Sequence, residues 1–484
     1  MVDVTRSEIR IHPDPGRVIA RPFLPGAPAF GDGPSRVHSI VERIRAIPPD
    51  RAEEATSAVR AGFQGRHHDL EKTWAANSTA AMALAGVDED RVPATMRDLI
   101  GAYFTQEYAI EAAAICNPSM VPAPGTNDGE FVMSMRAIGE GHISSVEFRT
   151  GRVDGDGTVD LDPPPATLST GRRRSPTYTK EEFGTRLAES SPDPVIVSAI
   201  LGRLSDHFSI DDLDKAISEV GRDGVSEAAL AETRHLVHWV ASSNYQLEFG
   251  SGEALTQRVL VPAGPADSHG MEDVRWVRFS EDDSTDTYYG TYTAFDGTHI
   301  LPQLIETDDF TSFRVSTMSG AGARNKGMAL FPRRIDGEYV ALGRADRENI
   351  RVLRSRRTRH WERHEVVYRP EAPWELIQVG NCGPPIETRA GWLVLTHGVG
   401  PMRRYAIGAA LLDLERPEQL LARAVEPLLE PGPDERDGYV PNVVYSCGGI
   451  VVGSNLVLPY GFSDREIGIV TMDLDEVLAS LQPV

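Results

Sequence analysis

The chain has 484 residues, with 71 acidic against 49 basic side chains and a net charge of −22 at pH 7. That balance argues against a nucleic-acid binder, which needs a basic face to displace phosphate counterions, and against docking on anionic lipid; solubility alone accounts for it. An apolar content of 40% and a mean hydropathy of −0.28 describe a globular chain with a core, of two to four domains by length or fewer if one is a large β-structure.

The start, MVDVTRSEIRIHPDPGRVIA, has neither an apolar h-region nor a small-residue cleavage pattern, so no secretory signal is expected. No apolar run is long enough to span a bilayer. Cys116, Cys382 and Cys447 form an odd, sparse set without CxxC spacing. They argue against a disulfide framework or a cysteine zinc site, and a reducing cytoplasm is the simplest compartment. The first 35 residues are rich in Pro and Gly and are expected to wrap a surface. Residues 36–115 read mainly as helix, because SRVHSIVERIRAI and PATMRDLIGAYFTQEYAIEAAAI repeat apolar residues at i, i+3, i+4 and i+7.

From Asn117 the texture changes. FVMSMRAIG and ISSVEFRTG read as two strands joined by a turn at Gly139–Gly141. The polar stretch that follows, with three arginines at 172–174, suits a solvated loop better than an anion patch. Residues 178–242 turn helical again, and SIDDLDKAISEV opens with a Ser cap and an acidic first turn. Beyond about Tyr245 short alternating runs recur, separated by Gly, Pro, Asp or Asn. Long helical crossovers are absent there, which excludes a doubly wound sheet and leaves a sandwich, barrel or propeller. The amount of strand exceeds one sandwich and fits a propeller of four-stranded blades better, although no WD or kelch-like repeat is visible.

Polar residues gather at the strand ends, where a rigid β scaffold carries function. No GxSxG elbow, P-loop, GxGxxG or HExxH is present. Asp273 stands in MEDVRWVRF where alternation begins; it reads equally as a general acid or as an ion-pair partner of Arg275 on the same strand face. Lys326, Arg344, His397, Arg403 and Arg404 lie in β-rich segments. Converging, they would hold phosphate; scattered, they would be ordinary surface charge.

Taken in order, NPSMV, RAIGEGHISS, MEDVR, KGMALFPRRIDG, GNCGPPIET with GWLVLTHGVG, YAIGAALLDL and GYVPNVVYSCG resemble glycoside hydrolase family 130, the β-mannoside phosphorylases and β-mannosidases. The resemblance covers about 110–150 and 245–484. It implies an all-β five-bladed propeller in two parts, 111–154 and 244–484, with an N-terminal helical extension over 1–110 and a helical insertion over 155–243. It implies inverting cleavage of a β-linked manno-oligosaccharide to mannose 1-phosphate, with inorganic phosphate as co-substrate and no cofactor or metal. Asp273 takes the place of the family's general acid, passing its proton through a sugar hydroxyl; Val274 replaces the motif's proline. Lys326, Arg344, His397 and Tyr405 match phosphate-binding positions, while Gln378 replaces a lysine of the family. Asn117, Arg136, His142 and Arg275 are assigned to the sugar. The alternative is an inverting β-mannosidase, whose water needs a carboxylate base some 6.5–9.5 Å from the acid. Glu375 and Glu140 are the candidates, with Glu435 and Asp437 behind them. A lectin-like binder would keep the pocket and not need Asp273. The helical segments could cap the pocket or build a homo-oligomer interface.

Overall fold

A computed structural model of the chain describes residues 2–25, 36–126, 129–189, 193–220 and 226–484. The chain divides into two compact units, one of Asp14–Ala112 with Pro164–Thr170 and one of the remainder.

The first unit is helical. Arg36–Arg45, Pro49–Phe63, Leu70–Ala85 and Ala94–Tyr103 pack their apolar stripes around Val41, Met82, Leu99 and Phe104. The helical reading of 36–115 stops short at Tyr103. Thr105–Ala109 instead pairs antiparallel with Val18–Pro22, and Ala114–Pro122 is a strand of the other unit. The apolar spacing continues past Tyr103, but strand partners supplied by the chain's start override it. The buried Arg17–Glu111 ion pair, 2.6 Å long, ties the ends of this unit together.

The second unit is a series of antiparallel meanders. Ala114–Pro122, Glu130–Ile138 and Ser144–Val153 form the first, with the expected turn at Gly139–Gly141. Gly270–Ser280, Asp286–Phe295, Ile300–Thr307 and Ser312–Thr317 form the next, joined to the first by one parallel contact, Gly270 with Ser144. Then come Ala329–Leu330 with Tyr339–Gly343, Ile350–Ser355 and Arg363–Tyr368, and after them Gln378–Asn381 with Gly391–Val399, Tyr405–Leu412 and Leu420–Arg423. In the last, Val444–Tyr445, Asn455–Phe462 and Glu466–Asp473 are completed by Thr5–Ile11 from the chain's start. The beginning of the chain is therefore a paired strand rather than a surface wrap; residues 26–35 lie outside the described residues. Glu435 secures that strand, taking Arg6 and Arg10 at 3.5 Å each and the Tyr460 hydroxyl at 2.5 Å.

Separate apolar layers lie between successive meanders. Val132 and Phe148 pack with Trp276 and Phe313; Phe279 and Leu304 with Leu330 and Leu353. Phe331 and Val352 pack with Trp392 and Val394; Leu393 and Ile407 with Leu458 and Val470. The last meander returns to the first, where Val457 and Ile469 meet Ile115 and Met133.

Lys180–Glu189, Pro194–Leu201, Ile210–Glu219 and Glu227–Ser242 form a helical subassembly within this unit around Phe208, Leu213 and Val237. Ser209 and Asp212 make the capping box that the sequence signalled. The arginines at 172–174 are not loop. They form an exposed edge strand on Tyr245–Glu248, with Arg174 paired to Glu248. Arginine suits such an edge because its charge deters further strand addition.

Phe310 lies with ring centroids 4.8 Å from Tyr288, 5.3 Å from Trp276 and 5.7 Å from Phe148. Phe310→Ala is expected to lose about 3–5 kcal/mol, the usual range for a fully buried aromatic, read in the urea transition reported by tryptophan fluorescence.

Candidate active site

Two strands break register beside one another. The strand Gly270–Ser280 bulges between Glu272 and Arg275, and Ala114–Pro122 bulges between Cys116 and Ser119. Asp273 and Asn117 sit in these bulges with φ of 58° and 48°. The Ser119 hydroxyl accepts the Trp276 backbone N–H at 3.1 Å and locks the two strands together. Such bulges re-aim a side chain, and left-handed non-glycine residues mark places where the surroundings hold the backbone against its preference. The bulge also overturns the simple same-face pairing of Asp273 with Arg275. Arg275 donates to the Asp273 backbone carbonyl at 2.9 Å and to the Tyr445 hydroxyl at 2.7 Å.

The Asp273 carboxylate is surrounded by cations. Arg136 lies 3.6 Å from its Oδ1 and bonds Glu272 at 2.6 Å, while Lys326 bonds the other Glu272 oxygen at 2.5 Å. Burial pushes the Asp273 carboxyl up, but Lys326, Arg136, Arg275 and Arg344 outweigh it and hold the group below the ordinary range. Glu272 thus bridges two cations and is part of the site.

Arg344 donates to Nε2 of His397 at 3.0 Å. His397 is stacked on Tyr405 at 6.1 Å and lies 4.7 Å from Tyr445. Burial first, then the charges of Arg344 and Arg275, push His397 well below its usual pKa. His397 is therefore a neutral acceptor that orients Arg344. Gly380 makes this possible, since a Cβ there would lie 2.5 Å from the His397 ring and 3.0 Å from Arg344.

The structure brings together Asp273, Lys326, Arg344, His397, Tyr405, Arg136 and Arg275 through these direct links and shared charges. Asn117 joins them through the paired bulges. His142 is exposed on the Glu140–His142 turn, where its ring meets Tyr439 at 5.8 Å. Glu375 does not join them. Its carboxylate accepts from the Tyr368 hydroxyl and from the Glu371 and Ala372 backbone N–H groups, a local turn that consumes it. Glu140 is exposed on its turn, Asp437 is exposed, and Glu435 is the anchor of the first strand. The charges acting most on Asp273 are basic: Lys326, Arg136, Arg275 and Arg344. Arg404 is paired with Glu430 at 2.9 Å, which leaves Arg403 as the basic residue of that turn facing the cluster.

One acidic residue was not anticipated. Asp464, with φ of 47°, sits in the hairpin between Asn455–Phe462 and Glu466–Asp473. Burial and the nearby Asp273 charge raise it to about 6, against the pull of Arg136, Arg403 and Lys326. In the sequence, Ser-Asp between two strands reads as an ordinary turn; only Phe462 and the Gly461 before it hint at a close approach. Several buried polar atoms of this cluster have no hydrogen-bond partner in the protein: Asn117 Oδ1, Arg136 Nε, Asp273 Oδ1, Arg275 Nε and Asn381 Oδ1. Buried unsatisfied polar atoms are rare, and a catalytic role, strain or bound water are the usual reasons for them.

The model of a protein family described as beta-1,4-mannooligosaccharide phosphorylase matches residues 251–482. A beta-1,2-mannobiose phosphorylase of a Thermoanaerobacter species is 34% identical over 230 residues, spanning 46% of this chain and 74% of the relative. The chain belongs to glycoside hydrolase family 130. A 1,2-beta-oligomannan phosphorylase of the same species is 39% identical over 155 residues, 32% of this chain and 52% of that protein; the match thus spans about half the length of this relative. A solved beta-1,2-mannobiose phosphorylase of Listeria innocua in complex with beta-1,2-mannobiose aligns at 22% identity and a TM-score of 0.45, covering 76% of this chain and 92% of its own. The family match begins at residue 251 of this family 130 chain. No helix among its described residues is long and apolar enough to cross a membrane.

The raised Asp464 has a consequence for stability. A carboxyl whose folded pKa exceeds its unfolded value stabilises below the unfolded pKa, and that contribution is lost as pH rises through the folded one. With Asp464 at about 6, Asp464→Asn is expected to be more stable than the parent at pH 7 by up to about 2–3 kcal/mol. The difference should close on acidification towards pH 4, measured by denaturant titration across that range.

Proposed function

We propose that this protein catalyses inverting phosphorolysis of a β-linked manno-oligosaccharide, releasing mannose 1-phosphate. The observation that carries this reading is the buried carboxylate Asp273 ringed by Lys326, Arg136, Arg275 and Arg344. Names of relatives, three of which specify β-1,2 linkages, support a β-1,2-mannoside as substrate.

In this reading Arg136, Asn117 and Arg275 hold the sugar, and Lys326 and Arg344 hold the phosphate, with His397 and Tyr405 fixing Arg344. Asp273 gives its proton, by way of a sugar hydroxyl, to the glycosidic oxygen as the bond to the anomeric carbon breaks. A phosphate oxygen forms the new bond from the opposite face, so phosphate itself is the nucleophile and no protein base is needed. The low pKa of Asp273 fits an acid that is loaded only when phosphate arrives. The phosphate charge offsets the same cations that hold the carboxyl ionised and lets it take up a proton.

The five meanders, each packed on the next and the last on the first, support a five-bladed propeller closed by the strand Thr5–Ile11. We assign 111–154 and 244–484 to it, 1–110 to a helical extension and 155–243 to a helical insertion.

Asp464 favours a second reading. A carboxyl raised to about 6 beside Asp273 is poised to act as a base on water, which would make the enzyme a β-mannosidase. The two readings separate on product. With β-1,2-mannobiose, mannose 1-phosphate formed only when inorganic phosphate is present supports phosphorolysis; free mannose at an equal rate with or without phosphate sinks it. Asp273→Asn should lower kcat by roughly 10²–10⁴, the usual contribution of a general acid.

Phosphate binding should also take up protons, because it raises the Asp273 pKa. Calorimetric titration in buffers of differing ionisation enthalpy reads this uptake, which should fall away in Asp273→Asn. Equal uptake in the two proteins would exclude Asp273 as the acid loaded by phosphate.

A further inference from the structure

A cavity of about 670 Å³ lies away from Asp273, where the insertion helix Lys180–Glu189 faces the strands Tyr245–Glu248 and Ser312–Thr317 and the loop 356–360. Its volume is in the range of small-ligand sites, roughly 300–1,000 Å³. One wall comes from residues 176–186, which precede the family match at 251–482; the facing loop and the strand Ser312–Thr317 lie inside it. The insertion therefore builds this cavity against the common β scaffold.

Its lining is rich in arginine within an acidic chain. Arg357 and Arg359 are neutralised by Glu181 at 2.8 Å and Glu306 at 2.7 Å. Arg356 has only Glu338, at 3.9 Å, with its side chain 90% exposed. Arg314 has no carboxylate partner among the described residues. Glu182 is the acidic side chain of the lining, and it is shared with Thr179 at 3.0 Å and Arg359 at 3.7 Å. Positive charge is thus left over at Arg314 and Arg356.

We propose that this cavity is a second anion site, taking a small ligand that carries a phosphoryl or carboxylate head on a polar body. Arg314 and Arg356 supply the charge and donate to the head group; charge-assisted bonds of this kind are the strong ones. The site is distinct from the Asp273 centre and does not depend on the reaction assigned there.

The test is equilibrium binding to the full chain in a Lys326→Ala background, which weakens phosphate at the Asp273 centre. Inorganic phosphate and glucuronate are the probes. At least one should bind saturably, and adding Arg314→Ala with Arg356→Ala should weaken it at least about tenfold. Mannoside turnover by the Arg314→Ala/Arg356→Ala protein with Lys326 intact should equal that of the parent. Phosphate as the bound probe assigns a phosphoryl ligand, and glucuronate a carboxylate. If the double variant folds poorly, Arg356→Ala alone, at a side chain 90% exposed, reads the same contact. Failure of both probes to bind, or binding unchanged by these substitutions, overturns the proposal.

Discussion

The site rests on one electrostatic arrangement, a buried carboxylate kept ionised by a ring of basic groups. Asp273 lies on a strand with little water around it, where an isolated negative charge would be neutralised by protonation. Arg136, Lys326, Arg275 and Arg344 prevent this, each arriving from a different part of the chain. Glu272 in turn binds Arg136 and Lys326, which stops the cations from collapsing onto Asp273 alone. The cluster is self-consistent without being saturated, since Asp273 Oδ1, Arg136 Nε and Arg275 Nε remain without hydrogen bonds in the protein.

Holding that balance requires a backbone out of its ordinary geometry. Asn117, Asp273, Asn325, Arg403 and Asp464 all adopt positive φ, and all belong to the cluster or adjoin it. Such conformations cost about 1–3 kcal/mol each and persist only when the surroundings over-determine them. Here the layers between meanders do so, with Trp276, Phe310 and Phe313 packed directly behind the Asp273 strand. Apolar packing on one side thus supports strained polar geometry on the other. The pair His397 and Arg344 follows the same logic in side chains: a neutral imidazole positions a guanidinium, and Gly380 leaves the room for it.

The helical subassembly has its own core around Phe208, Leu213 and Val237, and Trp239 packs both on that core and on the layer of Phe148 and Trp276. Beside that apolar contact, polar and basic side chains line the space between these helices and the strands. The cavity there has one wall from the helices and another from strands and a loop inside the family match.

Much of this was legible in the sequence. Alternating runs after Tyr245 announced strands, the Ser209 cap announced a helix, and the ordered motifs from NPSMV to GYVPNVVYSCG announced the family and the cations around Asp273. These features are local, and their periodicity or wording survives without a partner. Other features depend on what a segment meets. Thr105–Ala109 is a strand because Val18–Pro22 lies beside it, and the arginines at 172–174 form an edge because Tyr245–Glu248 offers one. Glu375 looked available as a base until its own turn proved to satisfy it. Asp464 looked like a turn residue, and only its approach to Asp273 raised its pKa. Residue type and spacing alone determined which charges the chain carries and where strands alternate. The tertiary structure alone decided which charges are buried together, because desolvation and Coulomb interaction depend on distance through space rather than along the chain.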